Sequence, residues 1–274
     1  MLPEPVTRFA PSPTGLLHLG HAFSALTAWS RPGVCLLRIE DIDRPRCRPE
    51  FETAIFEDLR WLGLRWPEPV LRQSDRMEAY AAALARLIAL GACYPCRCTR
   101  AEIRAALSAP QEGVASDIYP GTCRGRPMAA AGPGDAIRLE IARAQALAGP
   151  LQFTETGPLY PGQHVADASA LGDVVLARRD IGTSYHIAVV VDDAAQGITE
   201  VVRGVDLFEV TPLHRLLQAL LELSAPSYHH HRLIRDDLGR RLAKRDDARA
   251  IRRFRADGAS PTEVAALVGI TLPG

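Results

Sequence analysis

The sequence predicts an α/β fold: a Rossmann-like parallel sheet split by a small cysteine-rich insertion, with a short helical segment at the C-terminus. Strand-like and helix-like stretches alternate over residues 1–92, the order expected of parallel strands joined by crossover helices. Between Cys93 and Pro133 that alternation stops, and Cys, Pro, Gly and Arg accumulate instead. It returns near residue 181.

Taken in order, PVTRF at residues 5–9 is a short strand that ends in the turn-rich PSPTG. Residues 16–30 are apolar and helix-like. VCLLRI at 34–39 is a buried strand that runs into the acidic EDID. Residues 50–62 and 75–90 carry helical spacing, with Gly63 and Gly91 as stops. After the insertion, AIRLEI, LQFTE and DVVLARR form a mixed segment of short strands. SYHIAVVVDD at 184–193 is expected to be a buried strand because of its β-branched run, and ITEVVRG another. LHRLLQALLEL places apolar residues at three- and four-residue spacing and is a helix. The expected units are therefore 1–92 and 181–240 as two halves of one nucleotide-binding domain. Between them lie the insertion, 93–133, and the mixed segment, 134–180; the loop and helical tail occupy 241–274.

The chain is 47% hydrophobic and 23% charged over 274 residues, enough apolar content for one large core or one core with an insertion. Its 32 basic and 32 acidic residues cancel, so global charge selects no partner. No apolar run approaches the roughly 20 residues of a membrane span. MLPEPVTRFAPSP lacks a signal-peptide profile, so a cytoplasmic monomer without a membrane partner is expected. In that compartment disulfides are rare, and clustered thiols among the six cysteines point to a metal.

His18-Leu19-Gly20-His21 stands at a strand–turn–helix junction. Glycine there lets a phosphate approach the backbone, the helix N-terminus favours the anion, and two imidazoles can donate to it. RFAPSPTGLLHLGH, then RIEDID about 20 residues later, then RLAKRD near the C-terminus form a specific set. Together they resemble class I aminoacyl-tRNA synthetases, and within them the glutamyl branch. The resemblance implies that His18, Gly20 and His21 hold ATP, with Mg²⁺ on its phosphates, at the family's HIGH position. Arg241-Leu242-Ala243-Lys244-Arg245 stands at its KMSKS position, departing from it at Arg241 and Ala243. The important second lysine is kept as Lys244, the only lysine in the chain. An ammonium is a compact point charge that can follow moving phosphates. The catalytic set implied is His18, His21 and Lys244.

The same resemblance implies the amino-acid site. L-Glutamate offers two carboxylates and one ammonium, which suit arginine forks and a buried acid. Glu40 matches the position that takes the amino group. Arg8 and Arg203 match the carboxylate positions, Tyr185 adds a hydroxyl, and Phe9, Ala10, Pro11 and Ser12 of RFAPS complete the wall.

Spacing alone proposes a four-cysteine zinc site from Cys93, Cys96, Cys98 and Cys123. The resemblance narrows this. The glutamyl-Q tRNA(Asp) synthetase group carries C-x-C followed by Y-x3-C, matched here by Cys96, Cys98, Tyr119 and Cys123. One structural Zn²⁺ on those four residues is expected, with Tyr119 ahead of Cys93 as fourth ligand. Cys35 and Cys47 are read as structural.

Only 29 residues follow Arg245, fewer than a large helical anticodon-binding domain needs. With the cysteine pattern, this brings the resemblance closer to the glutamyl-Q tRNA(Asp) synthetase group, and that resemblance implies transfer of glutamate to queuosine in the anticodon of tRNA(Asp). The alternatives are a truncated glutamyl-tRNA synthetase that charges a tRNA 3′ end and a small-molecule nucleotidyltransferase. A third, a zinc-dependent RNA-binding module, would not need Lys244.

Overall fold

The computed structural model describes residues 4–99, 101–103, 118–234 and 250–271. Ten strands occur in it: β1 (Val6–Phe9), β2 (Val34–Ile39), β3 (Leu71–Arg72), β4 (Cys93–Cys96), β5 (Ala136–Leu139), β6 (Gln152–Glu155), β7 (Gly162–Val165), β8 (Val175–Ala177), β9 (Glu200–Gly204) and β10 (Ser227–His231). The longer helices are α1 (Leu19–Trp29), α2 (Pro49–Trp61), α3 (Met77–Ala89), α4 (Ile141–Ala148), α5 (Tyr185–Ala195), α6 (Thr211–Leu220), α7 (Ile251–Ala256) and α8 (Pro261–Leu267). Among the described residues no helix is long and apolar enough to cross a membrane.

β1, β2 and β3 pair in parallel, as do β9 and β10. Thr199 donates its N–H to the Val6 carbonyl at 2.9 Å, which sets β9 beside β1. The strand order β3–β2–β1–β9–β10 thus reverses direction between β1 and β9. In open α/β sheets a ligand crevice lies at the strands' C-terminal ends where the order reverses. Leu37 and Ile39 of β2 are essentially fully buried, each stabilising the fold by about 1.5–3 kcal/mol.

A single parallel sheet does not describe the whole chain. β6 extends the β9–β10 sheet in parallel, but β7 pairs antiparallel with β6. β4, β5 and β8 form a separate antiparallel sheet, so the cysteine-rich stretch begins on a paired strand. Short strands joined within one segment need no crossover helix, which is what antiparallel pairing permits.

The second correction concerns residues 184–193. They form the start of α5, with Ser184 as N-cap and Tyr185 at its first position, not a strand. Ile187, Ala188, Val189, Val190, Asp192 and Asp193 are all buried. A helix covered on nearly every side shows no amphipathic period, so its β-branched run mimics a strand. Two adjacent carboxylates tie it down in different directions. Asp192 accepts from Gln73 (3.1 Å), Arg76 (2.6 Å) and the Tyr80 hydroxyl (2.7 Å), on or beside α3. Asp193 faces β1 and β2.

Candidate active site

The geometry of the crevice follows from strand register. Arg8 lies opposite Leu36 in the β1–β2 pair, so Arg8, Arg38 and the following Glu40 share one face. Asp193 reaches that face from α5. It accepts from Arg8 Nε at 2.9 Å and Nη2 at 3.4 Å, and from Arg38 Nη1 at 2.7 Å. Arg38, wholly buried, also donates to Glu40 Oε1 at 3.2 Å. Burial alone would raise the Asp193 carboxyl, but the two guanidiniums outweigh it and hold it below its usual range. Burial dominates at Glu40, whose carboxyl is raised despite Arg38 and Arg8.

β9 and β10 supply the opposite wall. Arg203 and His230 are register partners, with Arg203 Nε donating to His230 Nε2 at 3.0 Å. Tyr185 packs edge-on to His214, their ring centres 5.7 Å apart. Burial pushes its phenol up, against the pull of Arg203, so its hydroxyl keeps its proton as a donor.

At the third side stands the N-terminus of α1. His18 is its N-cap: its Nδ1 accepts from Gly20 N–H at 3.1 Å, and its own N–H donates to His21 Nδ1 at 3.1 Å. Both Nδ1 atoms are acceptors, so the neutral rings carry their protons on Nε2, the donor form that an anion requires. A Cβ on Gly20 would lie 2.9 Å from the His18 ring, so glycine here first of all seats that cap.

All of Arg8, Phe9, Ala10, Pro11, Ser12, His18, Gly20, His21, Glu40, Tyr185 and Arg203 line one cavity of about 740 Å³. Ser24, Asp206 and the stretch 231–234 line it too, without a sequence signal. A second hollow of about 680 Å³, between Asp257 and Leu267, shares no residue with it. Lys244, with Arg241 and Ala243, lies outside the described residues. The flanks of that stretch are in place: Ile234 lines the cavity, and Ala250 bridges to His18, with Ile251 N–H donating to the Leu17 carbonyl at 2.8 Å.

Away from the cavity, the Sγ atoms of Cys96, Cys98 and Cys123 lie within 4.8 Å of one another. Tyr119 Oη is 3.4 Å from both Cys96 and Cys98 Sγ, and accepts the Cys123 N–H at 2.9 Å. Arg138 stacks 3.7 Å over the Tyr119 ring. Burial opposes ionisation of Cys123, but the Arg97 N–H and hydrogen bonds from Tyr119, Cys98 and Cys96 bring it down to about 6. Cys93 does not join them. Three residues before Cys96 on a strand, it faces the other way, packs into the α3–α5–α6 core, and has its thiol pushed up to about 12 by burial.

Comparison with known proteins identifies the family. Residues 5–272 match the model of the catalytic domain of class I tRNA synthetases (E and Q). The glutamyl-Q tRNA(Asp) synthetase of Rhodobacter capsulatus is 54% identical, the match covering 97% of this chain and 100% of that protein. That of Geobacter sulfurreducens is 43% identical over 90% and 77%. The crystal structure of glutamate-tRNA synthetase from Elizabethkingia anophelis superposes with a TM-score of 0.77 at 26% identity, covering 97% of this chain but only 61% of that one. A glutamate tRNA ligase from Elizabethkingia meningosepticum, solved in complex with its amino acid, gives a TM-score of 0.77 at 27% identity, over 97% and 60%. With the family match over residues 5–272, these relatives and the shared fold, the chain belongs to the class I tRNA synthetases (E and Q) and, among them, to the glutamyl-Q tRNA(Asp) synthetase family.

Proposed function

We propose that the chain activates L-glutamate with ATP and transfers it to the queuosine base in the anticodon of tRNA(Asp). The observation that carries this reading is the convergence of Arg8, Glu40, Tyr185 and Arg203 with the His18–His21 helix start on one cavity. Glu40 receives the ammonium, Arg8 and Arg203 the carboxylates, and Tyr185 donates its hydroxyl. An oxygen of the α-carboxylate attacks the α-phosphorus of ATP in line, forming glutamyl-adenylate as the bond to pyrophosphate breaks. Mg²⁺ bound with ATP neutralises phosphate charge. The His18 and His21 Nε2–H groups, the α1 N-terminus and Lys244 stabilise the charge that builds on the phosphates. A hydroxyl of the queuosine cyclopentene diol then attacks the activated carbonyl, losing its proton as AMP leaves. That diol resembles the ribose diol of a tRNA 3′ end, so a cavity shaped for such a diol can receive it with the same chemistry.

Cys96, Cys98, Tyr119 and Cys123 hold one structural zinc. Tetrahedral thiolate ligands about 2.3 Å from zinc stand about 3.8 Å apart, close to the spacing of these sulfurs. Burial and the Cys96 and Cys98 thiols raise the Tyr119 phenol against the Cys123 N–H, so the metal's own charge would have to ionise it.

ATP–pyrophosphate exchange across a panel of amino acids, without RNA, tests the reading. Exchange with glutamate and little with glutamine or aspartate is expected. Equal exchange with glutamine would contradict the two-arginine clamp, and exchange without any amino acid would favour a small-molecule nucleotidyltransferase.

A further inference from the structure

Arg8 and Arg203 are held by groups of opposite character. Asp193 pairs with Arg8 and compensates its charge. No carboxylate touches Arg203 among the described residues. Its Nε donates to His230 Nε2 (3.0 Å) and its Nη1 to His214 Nδ1 (2.9 Å). Its Nη2 donates to the Leu207 carbonyl (3.1 Å) and the Thr211 hydroxyl (2.7 Å).

A guanidinium only donates, so both ring nitrogens must accept, which fixes both tautomers. His214 carries its proton on Nε2 and presents it to His186 Nδ1 at 3.2 Å. His230 carries its proton on Nδ1 and presents it to the buried Glu155 carboxylate. A protonated ring at either place would aim an N–H at an N–H of a cation. Burial, with Arg203 acting in the same direction, also keeps His214 neutral. All four acceptors are therefore uncharged, and Glu155, the nearest acid on this chain of contacts, stands behind an imidazole. Arg203 is 5% exposed, so water screens its charge weakly.

We propose that His214 and His230 are positioning residues for Arg203, which fix its guanidinium as neutral acceptors while leaving its charge uncompensated, so that the pocket selects a carboxylate over the corresponding amide. This rests on the reading that Arg203 binds a glutamate carboxylate. A site made selective by charge needs a cation that no protein acid has already neutralised.

His214→Asn and His214→Asp separate charge from shape. Both place an oxygen near the Nδ1 position and both lose the bond to His186, so they differ by one charge. In glutamate-dependent ATP–pyrophosphate exchange, the asparagine variant is expected to keep the glutamate KM within about fivefold of the parent. The aspartate variant is expected to raise it about tenfold or more beyond the asparagine variant, with the ATP KM little changed. Its preference for glutamate over glutamine should fall by a similar factor. His230→Gln and His230→Glu repeat the comparison on the Nε side and decide the matter if His214→Asp does not fold. Equal glutamate KM and equal selectivity within each pair would overturn the proposal and make these histidines structural. Arg203→Ala is the control on the underlying reading: an unchanged glutamate KM in that variant refutes the reading itself, whatever the histidine pairs do.

Discussion

Asp193→Asn isolates the ionic frame behind the glutamate site. The carboxylate joins two guanidiniums, and Asp193, Arg8 and Arg38 are 4%, 4% and 0% exposed. Asparagine keeps the shape and one acceptor but removes the charge, leaving Glu40 as the acid beside two buried cations. Removing one partner of a buried ion pair costs about 3–5 kcal/mol, because the charge left behind is uncompensated. With the Oδ1 contacts to Arg8 Nε and Arg38 Nη1 retained, the lower end applies. At about 2–4 °C per kcal/mol for a chain of this size, the melting temperature should fall by about 6–12 °C. The exposed pair of Arg253 and Asp257 sets the scale for comparison: Arg253→Gln should cost about 1 kcal/mol or less. Below the melting range, far-UV circular dichroism should be unchanged. The glutamate KM should nonetheless rise about tenfold, since the amide turns an NH₂ toward Arg8 Nη2 in place of the carboxylate oxygen that accepted from it. Differential scanning calorimetry and exchange kinetics measure the two effects independently. A melting temperature within 2 °C of the parent, with an unchanged glutamate KM, would refute the assignment of Asp193 as the organising charge.

Three further outcomes are expected. Asp58, fully buried on α2 with no hydrogen-bond partner among the described residues and Arg255 at 3.7 Å, has its carboxyl raised from 3.8 to about 6 by burial. The folded state therefore binds the proton more tightly than the unfolded one, so this group's ionisation costs stability as pH rises from about 4 to 6. Relative to the parent, Asp58→Asn should gain up to about 3 kcal/mol between pH 4 and pH 7, measured by urea unfolding at both; a constant difference across that range would count against the buried charge. Metal analysis should find one zinc per chain, lost in Cys98→Ser and kept in Cys93→Ser, whereas the reverse pattern would reassign the ligands. Lys244→Ala should slow glutamate activation by about 10²-fold without unfolding the chain, and Lys244→Arg should restore only part. A near-normal alanine variant would make this lysine surface charge.

The strands β1 and β2, the helix α1 and the convergence of Arg8, Glu40, Tyr185 and Arg203 were legible because each rests on a short pattern or motif. Residues 184–193 were not. Their β-branched run has strand propensity, and what makes them helical is tertiary: the helix is packed on nearly every side, with Asp192 held beside α3 and Asp193 held by Arg8 and Arg38. Arg38 and Asp193 carried no signal as a pair, since 155 residues separate them and only the packing of α5 against β1 and β2 brings them together. The triple histidine at 229–231 likewise looked featureless until β10 paired with β9 and set His230 beside Arg203. Spacing alone could not separate Cys93 from the other cysteines; that it points into the core, away from Cys96, is visible only once Cys93–Cys96 is known to be extended.

The central claim, that glutamate goes to an anticodon base, is tested most directly by its acceptor. A queuosine-bearing tRNA(Asp) anticodon stem-loop, with no acceptor arm, is incubated with the enzyme, ATP and labelled glutamate. Label on the stem-loop, and none on the same stem-loop with guanosine in place of queuosine, is the predicted result. Label found only on full-length tRNA(Glu), and lost when its 3′ terminus is blocked, would contradict the account.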